Sequence, residues 1–281
     1  MWKVWAVSFD SENVTKYLNE SFERALSLLD AESRQRINRF YHKEDAFRGL
    51  IARLLPRVLL EELNIPYPSA TFQITDAGKP YVTLESHQPL GFNLTHDNGL
   101  IAMVYSTGED LFLDAPAYRL GVDVMRLRLP HRQSLPEFIE IFSEQLTPLE
   151  QRMLQPSPQV EDSEVIRRFY LIWTLKEAYT KALGLGLGFD FRRVEYDVIR
   201  DIVRIDGQVP HGWEFVRFQL DVAEGSSAHQ YVGVACRFVG DKVHKGGECI
   251  VETRTVGEWL QVFDAAEFVS RAIQELPSTV S

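Results

Sequence analysis

Two charged side chains, Glu177 and Lys181, lie four residues apart in a stretch, 163–183, whose apolar residues recur at helical spacing. Residues four apart share one helix face, and Trp173 and Lys176 would lie near that face. A carboxylate within reach of an alcohol can act as a general base. The same spacing also describes a surface ion pair worth about 0.3–0.5 kcal/mol. This pair alone therefore does not establish a site.

An aspartate in an apolar, strand-like segment is the second candidate. Asp123 lies between Val122 and Val124. Because alternate side chains of a strand share a face, the two valines would point to a core. Asp123 would share the opposite face with Gly121 and Met125. A carboxylate suits a buried strand poorly unless it has a partner, and a metal ion or a structural salt bridge would serve equally well.

Groups that suit an anionic ligand occur in the N-terminal half. Thr95 and His96 follow a short apolar strand, and Lys79 follows a turn signal. The segment 34–57 contains seven basic residues and only two acidic ones, which suggests a local anion partner. Each basic residue alone could be an ordinary solvated side chain. The seven are Arg34, Arg36, Arg39, Lys43, Arg48, Arg53 and Arg57.

Together these groups are the parts of a phosphoryl-transfer site. Lysine and arginine can neutralise a pyrophosphate. Two carboxylates, Asp123 and Glu177, with water and phosphate oxygens suit Mg²⁺, which prefers hard oxygen ligands and keeps some of its water.

The elements that must position these groups alternate between helices and short strands in both halves of the chain. This pattern predicts an α+β protein of two lobes with the site in the cleft between them. We place the lobes at 1–115 and 116–281, with a linker or insertion at 106–119. Helices are expected at 14–29, 31–63 (with a kink or break at Pro56), 134–142, 147–154, 163–183 and 255–276. Strands are expected at 71–74, 80–84, 91–94, 100–105, 120–124, 194–198, 202–205, 214–220 and 230–238.

Composition narrows the class of protein. The 281 residues carry a net charge of -10, which argues against general nucleic-acid binding. Cys236 and Cys249 form neither a zinc motif nor a disulfide framework, so reduced thiols and a cytoplasmic location are expected. The first ten residues predict a strand rather than a signal peptide, and no apolar run reaches membrane-spanning length. The sequence contains no Gly-x4-Gly-Lys-Ser/Thr motif, so it does not support a nucleotide hydrolase of the P-loop type.

The ordered motifs resemble the surfactin-synthetase-type 4′-phosphopantetheinyl transferases, and among them the eukaryotic broad-specificity members. The specific signal is Gly-Val-Asp-Val at 121–124 followed about 50 residues later by Trp-x-x-Lys-Glu-Ala at 173–178. Supporting matches are Arg39–Ala46 with Arg48, Gly78–Pro80, Phe92–His96 and Lys181–Gly184. The family fold implied is a pseudo-twofold pair of similar α+β lobes with coenzyme A between them, although no internal sequence repeat is visible.

The resemblance implies roles for individual residues. Asp123 and Glu177 would bind Mg²⁺ on the pyrophosphate, Glu177 would deprotonate the carrier serine, and Lys181 would steady the departing 3′,5′-ADP. The coenzyme A site would be lined by Arg36, Arg48, Lys79, Thr95, His96, Lys176 and Lys181. Met125 departs from many bacterial members, which carry a third carboxylate there. Since a thioether is too soft for Mg²⁺, we expect water to fill that position.

The expected reaction moves phosphopantetheine from coenzyme A to a serine of an apo acyl or peptidyl carrier protein. Candidate carriers are those of fatty-acid synthase, polyketide or peptide synthetases and aminoadipate reductase. A monomer that binds neither nucleic acid nor membrane is expected. The alternative is a catalytically silent protein of the same fold that binds coenzyme A or a carrier.

Overall fold

The computed structural model of the chain describes residues 2–18, 20–85, 88–112, 117–130, 132–224, 227–240 and 249–277. The helices are α1 (Glu20–Leu26), α2 (Ala31–Asn38), α3 (Lys43–Glu62), α4 (Leu135–Ile141), α5 (Pro148–Met153), α6 (Asp162–Leu183) and α7 (Ala265–Glu275). The strands are β1 (Trp2–Ser8), β2 (Ala70–Ile74), β3 (Pro80–Leu84), β4 (Leu90–Asp97), β5 (Leu100–Thr107), β6 (Leu120–Arg126), β7 (Val194–Asp197), β8 (Ile202–Ile205), β9 (Trp213–Glu224), β10 (Ser227–Phe238), β11 (Ile250–Thr253) and β12 (Leu260–Asp264). In the described ranges, none of the helices combines the length and the apolar character needed to cross a bilayer.

The two halves of the chain repeat one topology. The first half runs β1, two short helices, the long helix α3, the hairpin β2–β3, and then β4 and β5. The second half runs β6, two short helices, the long helix α6, the hairpin β7–β8, and then β9 and β10. In both sheets the last of these strands lies antiparallel between the other two. The predicted α+β fold of two similar lobes is confirmed, although the repeat is visible only in the topology.

Each long helix covers the outer face of its own sheet. The face of α3 that carries Leu50, Leu54 and Val58 is fully buried in a core that also contains Trp5 and Val7 of β1. In the second half, α6 packs in the same way on β6 and β10. The helices therefore follow from their apolar stripes, which need a sheet to cover them.

The inner faces of the two sheets pack against each other. Val4 and Ala102 of the first sheet share a buried cluster with Val122, Val124 and Phe218 of the second. The order of layers is helix, sheet, sheet, helix. As the alternation in β6 predicts, both valines flanking Asp123 point into the core between the sheets.

The C-terminal segment connects the two sheets. β11 pairs in parallel with β9 at the edge of the second sheet, and β12 then pairs in parallel with β1 at the edge of the first. α7 packs on α1 and α3, so it adds to the outer helical layer of the first half. The expected boundary between lobes, at 115/116, lies in 113–116, outside the described residues.

Three predictions of local structure are wrong. The expected 14–29 helix is replaced by a 3₁₀ helix, Ser11–Tyr17, and the separate short helix α1. α3 continues through Pro56, and the break in the expected 31–63 helix falls at 39–42 instead. The buried face of α3 extends on both sides of Pro56, which favours one continuous helix. The expected 255–276 helix is wrong at Leu260–Asp264, which forms a strand. The three-residue spacing of Leu260 and Phe263 fits a helix, but it also places the two side chains on opposite faces of a strand. Each of them packs against a different core.

Candidate active site

The strand β6 and the helix α6 make an unusually close contact at Gly121. A Cβ atom added there would lie 2.7 Å from the backbone nitrogen of Ala182 and closer still to the carbonyl oxygen of Ala178. Only glycine leaves room for this approach. It brings Asp123, two residues further along β6, next to the α6 face that carries Glu177 and Lys181.

Asp123 is almost fully buried, with 5% of its surface exposed. Its Oδ1 atom accepts a hydrogen bond from Lys181 Nζ at 2.7 Å and another from Thr95 Oγ1 at 2.9 Å. Its Oδ2 atom is buried and has no hydrogen-bond partner among the residues that the structure describes. Burial raises the pKa of Asp123, although Lys181 and Thr95 act in the opposite direction. A buried carboxylate oxygen without a partner is an energetic cost unless a ligand completes its surroundings.

Glu177 lies one helical turn before Lys181 and faces a surface cavity of about 760 Å³. Burial and the negative charge of Asp123 raise the pKa of the Glu177 carboxyl group, while Lys181 lowers it. The two carboxylates are therefore close enough to interact electrostatically. The cavity is lined by Glu144, Gln145, Trp173, Glu177, Thr180, Lys181, Gly186, Phe189, Asp190, Phe191 and Arg192.

The donor set at this site fits a magnesium ion with few protein ligands. Asp123 offers the free Oδ2 atom, and Glu177 supplies a second carboxylate nearby. Across the described part of the chain there is no cluster of three or more His, Cys, Asp or Glu side chains that could hold a metal. Met125 lies two residues beyond Asp123 and packs with the apolar core beneath α6. Mg²⁺ accepts this kind of site because substrate oxygens and water can complete its shell.

Lys176 does not line the site as the resemblance implies. Its side chain is fully buried on the inner side of α6. The Nζ atom donates to Glu150 Oε2 at 2.6 Å, to the Gln145 carbonyl at 2.9 Å and to the Phe191 carbonyl at 3.0 Å. An ammonium group has three N–H donors, so none is left for coenzyme A. The prediction for Lys176 is corrected: it holds protein segments rather than a ligand.

Thr95 and His96 lie at the end of β4, next to Asp123. Thr95 accepts a hydrogen bond from Lys181 Nζ at 3.0 Å and donates one to Asp123, so its hydroxyl bridges the Lys181 ammonium and the Asp123 carboxylate. Burial and the positive charges of Arg48 and Lys181 lower the pKa of His96. Arg48 is held by Glu44, Asp45 and the carbonyl of Asn98 in the turn after β4. The structure thus brings these predicted residues together.

The remaining two predicted coenzyme A contacts lie elsewhere around the site. Lys79 Nζ donates to the Tyr118 carbonyl at 2.7 Å and to the Ala182 carbonyl at 2.8 Å, so it links the turn after β2 to the end of α6. Arg36 pairs with Glu32 on α2. Burial and the charge of Arg36 lower the pKa of Arg53, which places Arg36 beside α3. Neither arrangement tests the predicted contact with coenzyme A.

Two residues of the seam between β4 and β6 were missed by the sequence analysis. Asn93 Oδ1 accepts a hydrogen bond from the backbone nitrogen of Val122 at 3.0 Å. Asp97 Oδ2 accepts one from the backbone nitrogen of Arg126 at 2.7 Å. With Thr95 between them, these side chains occupy every second position of β4. A polar residue at every second position of an apolar strand is the signal that could have indicated them.

Comparison with known proteins matches both halves of the chain to one family. The model described as "4′-phosphopantetheinyl transferase, N-terminal" matches residues 16–107, and that of the "4′-phosphopantetheinyl transferase superfamily" matches residues 119–232. A 4′-phosphopantetheinyl transferase of Paxillus involutus is 44% identical over 98% of this chain and 99% of that protein. The chain belongs to the 4′-phosphopantetheinyl transferase family. It is an enzyme that moves the phosphopantetheine arm of coenzyme A to a carrier protein.

More distant transferases extend the similarity. The L-aminoadipate-semialdehyde dehydrogenase-phosphopantetheinyl transferase of Mus musculus is 28% identical, over 92% of this chain and 82% of that protein. The 4′-phosphopantetheinyl transferase of Bacillus subtilis is 26% identical, over 69% of this chain and 78% of that protein.

Proposed function

We propose that Asp123, Glu177 and Lys181 carry the transfer of phosphopantetheine in this enzyme. The observation that supports this most directly is the buried Oδ2 atom of Asp123, which has no hydrogen-bond partner in the described ranges and lies beside an ammonium and a second carboxylate. Asp123 and Glu177 would hold Mg²⁺. When bound, Mg²⁺ supplies positive charge to the oxygens of the coenzyme A pyrophosphate.

Glu177 is the general base of the proposed reaction. Its carboxylate faces the cavity and, when ionised, can accept a proton from an alcohol placed there. The proton of the carrier serine hydroxyl passes to this carboxylate as the serine oxygen bonds to the phosphorus that bears the pantetheine arm. The bond from that phosphorus to the oxygen of 3′,5′-ADP breaks, and Lys181 steadies the phosphate oxygens of the leaving group.

The two sides of the site take different parts of the substrates. Phosphoryl transfer places the entering and leaving oxygens roughly in line, on opposite sides of the phosphorus. The nucleotide of coenzyme A would lie on the side of Thr95, His96 and Arg48, where the charges of Arg48 and Lys181 act on His96. The carrier serine and the pantetheine arm, which are joined in the product, would occupy the cavity beside Glu177, whose aromatic walls include Trp173.

The physiological carrier is proposed from similarity. One relative is named for L-aminoadipate-semialdehyde dehydrogenase, and the carriers of fatty-acid, polyketide and peptide synthesis are further candidates. We extend the proposal to a broad range of carriers. We also propose a cytoplasmic location, with which the two free cysteines are consistent.

The proposal is tested by intact-mass spectrometry of apo acyl and peptidyl carriers incubated with the enzyme, coenzyme A and Mg²⁺. A gain of one phosphopantetheine on the carrier, prevented by EDTA and restored by added Mg²⁺, is the expected result. Transfer that persists in EDTA after exhaustive removal of metal would contradict the magnesium role. A carrier whose acceptor serine is replaced by alanine is the control.

A further inference from the structure

Glu150 and Lys176 form an ion pair in which at most 1% of either side chain is exposed to solvent. Lys176 uses its two other N–H groups on the carbonyls of Gln145 and Phe191. Glu150 accepts further hydrogen bonds from the backbone nitrogens of Thr147, at 2.8 Å, and Tyr196, at 2.9 Å. Every contact of the pair is therefore directional and is made to a protein group.

The backbone segments that this pair holds are walls of the cavity beside Glu177. Gln145, between α4 and α5, and Phe191, after α6, both line the cavity, and their segments lie next to each other. Lys176 precedes Glu177 directly, so one helical residue ties both segments while its neighbour presents the proposed base. The ring of Trp173, one turn earlier, packs edge-on against that of Phe191, with 5.3 Å between the ring centroids.

A buried ion pair is a weak source of stability, because desolvation offsets most of the attraction and an apolar pair of similar size often serves as well. The particular property of this pair is that its hydrogen bonds are directional. Three N–H donors of Lys176 fix the positions of three acceptors at once. A wall segment that is already ordered binds a partner more tightly, because its ordering does not have to occur on binding.

We propose that Glu150 and Lys176 are a positioning pair that fixes these two neighbouring segments of the cavity wall relative to Glu177 and thereby sets the KM for the carrier protein. The inference rests on the proposed placement of the carrier serine in the cavity. It assigns Lys176 to the carrier side of the reaction and gives it no contact with the nucleotide of coenzyme A.

The double variant Lys176→Met/Glu150→Gln tests the proposal. Lys176→Met alone leaves a buried unpaired charge and can fail to fold, whereas the double variant removes both charges and keeps similar volume. The matched control is Arg237→Met/Glu214→Gln, which removes a largely buried pair, at 2.7 Å, that lines a different cavity.

Three measurements are made on both double variants and on the wild-type enzyme. These are steady-state kinetics with the carrier as the varied substrate, calorimetric binding of 3′,5′-ADP, and hydrogen exchange of the segments 143–147 and 189–193. The Lys176 variant is expected to raise the carrier KM about tenfold and to speed exchange in both segments. Its affinity for 3′,5′-ADP should stay within about twofold of wild type, and the control variant should resemble wild type throughout.

A folded Lys176 variant with wild-type carrier KM and wild-type exchange would overturn the proposal. A loss of 3′,5′-ADP affinity that matches the loss of transfer would also overturn it, because Lys176 would then belong to the nucleotide side. Faster exchange with an unchanged carrier KM would reject the carrier-side role and the placement of the carrier in the cavity, while wild-type transfer would still uphold the activity itself.

Discussion

At the scale of single residues, the catalytic assignment depends on Glu177. Glu177→Ala is expected to lower kcat by about 10²–10⁴-fold because the general base is lost, with coenzyme A binding largely preserved. Without metal, burial and Asp123 raise the pKa of Glu177, whereas bound Mg²⁺ would lower it. Because the base must be ionised, activity should fall as the pH is lowered through the pKa of Glu177 in the Mg²⁺-loaded enzyme.

The measurement is kcat against pH for wild type and for Glu177→Ala with one carrier. The variant should retain only a low rate without the acidic limb that Glu177 produces. Wild-type-like turnover by this variant would reject the general-base role, and an unchanged acidic limb would assign that limb to another group.

The hydroxyl of Thr95 bridges Asp123 and Lys181. Thr95→Val keeps the shape but removes both hydrogen bonds, and the loss is expected to be about 1–3 kcal/mol in transition-state stabilisation, or roughly 5- to 150-fold in kcat/KM. Thr95→Ser keeps the hydroxyl and serves as the matched control, with activity close to wild type. Equal losses in both variants would show that the methyl group, not the bridge, is what matters.

Met125 lies on the same strand face as Asp123, two residues further along β6. Met125→Glu would place a third carboxylate beside the proposed metal site, so metal affinity should not fall and the protein should stay folded. Calorimetric titration of Mg²⁺ in the presence of coenzyme A is the measurement, with Met125→Leu as the control. A large loss of Mg²⁺ affinity only in the glutamate variant would contradict the placement of Met125 beside the metal.

At the scale of elements, the contact between β6 and α6 sets the distance between Asp123 and the catalytic face of the helix. In Gly121→Ala, the new methyl group would overlap the backbone of Ala178, so strand and helix must separate. We expect a loss of about 1–3 kcal/mol in the free energy of unfolding and a larger relative loss of transfer. Urea unfolding and the mass assay measure the two effects.

Gly257→Ala is the matched control for this element, because a Cβ there meets no atom within 4 Å. It should leave stability and transfer nearly unchanged. Wild-type activity in Gly121→Ala would show that the two elements can separate without disturbing the site.

At the scale of the whole molecule, the two halves share one core between their sheets, and the C-terminal segment crosses from one sheet to the other. Both features favour unfolding as one unit. Phe268 of α7 is fully buried in the first core, so Phe268→Ala should lower the free energy of unfolding by about 3–5 kcal/mol in a single transition. Val262→Ala, at a partly exposed position of β12, should change it by less than about 0.5 kcal/mol.

Urea denaturation followed by circular dichroism and by tryptophan fluorescence checks this prediction. Coincident curves at a lower midpoint are expected for Phe268→Ala. A first transition that affects only one probe would show that the two halves unfold separately.

Much of the fold was predictable because it depends on local pattern. The stripe of α6 and the alternation of β6 both follow from nearest neighbours along the chain. The prediction for 255–276 failed where one spacing suited two structures, and only the pairing of β12 with β1 decides between them. Long-range strand pairing of this kind leaves no local signal.

The sequence by itself determined which groups could do chemistry: Asp123 on the polar face of a strand, and Glu177 and Lys181 on one face of a helix. Side-chain type and backbone period are properties of a short segment, so they can be read without the fold. The tertiary structure decided which groups meet. Lys181 reaches Thr95 across 86 residues of chain, and Lys176, five residues before Lys181, turns inward to Glu150 because its side of α6 is covered by protein.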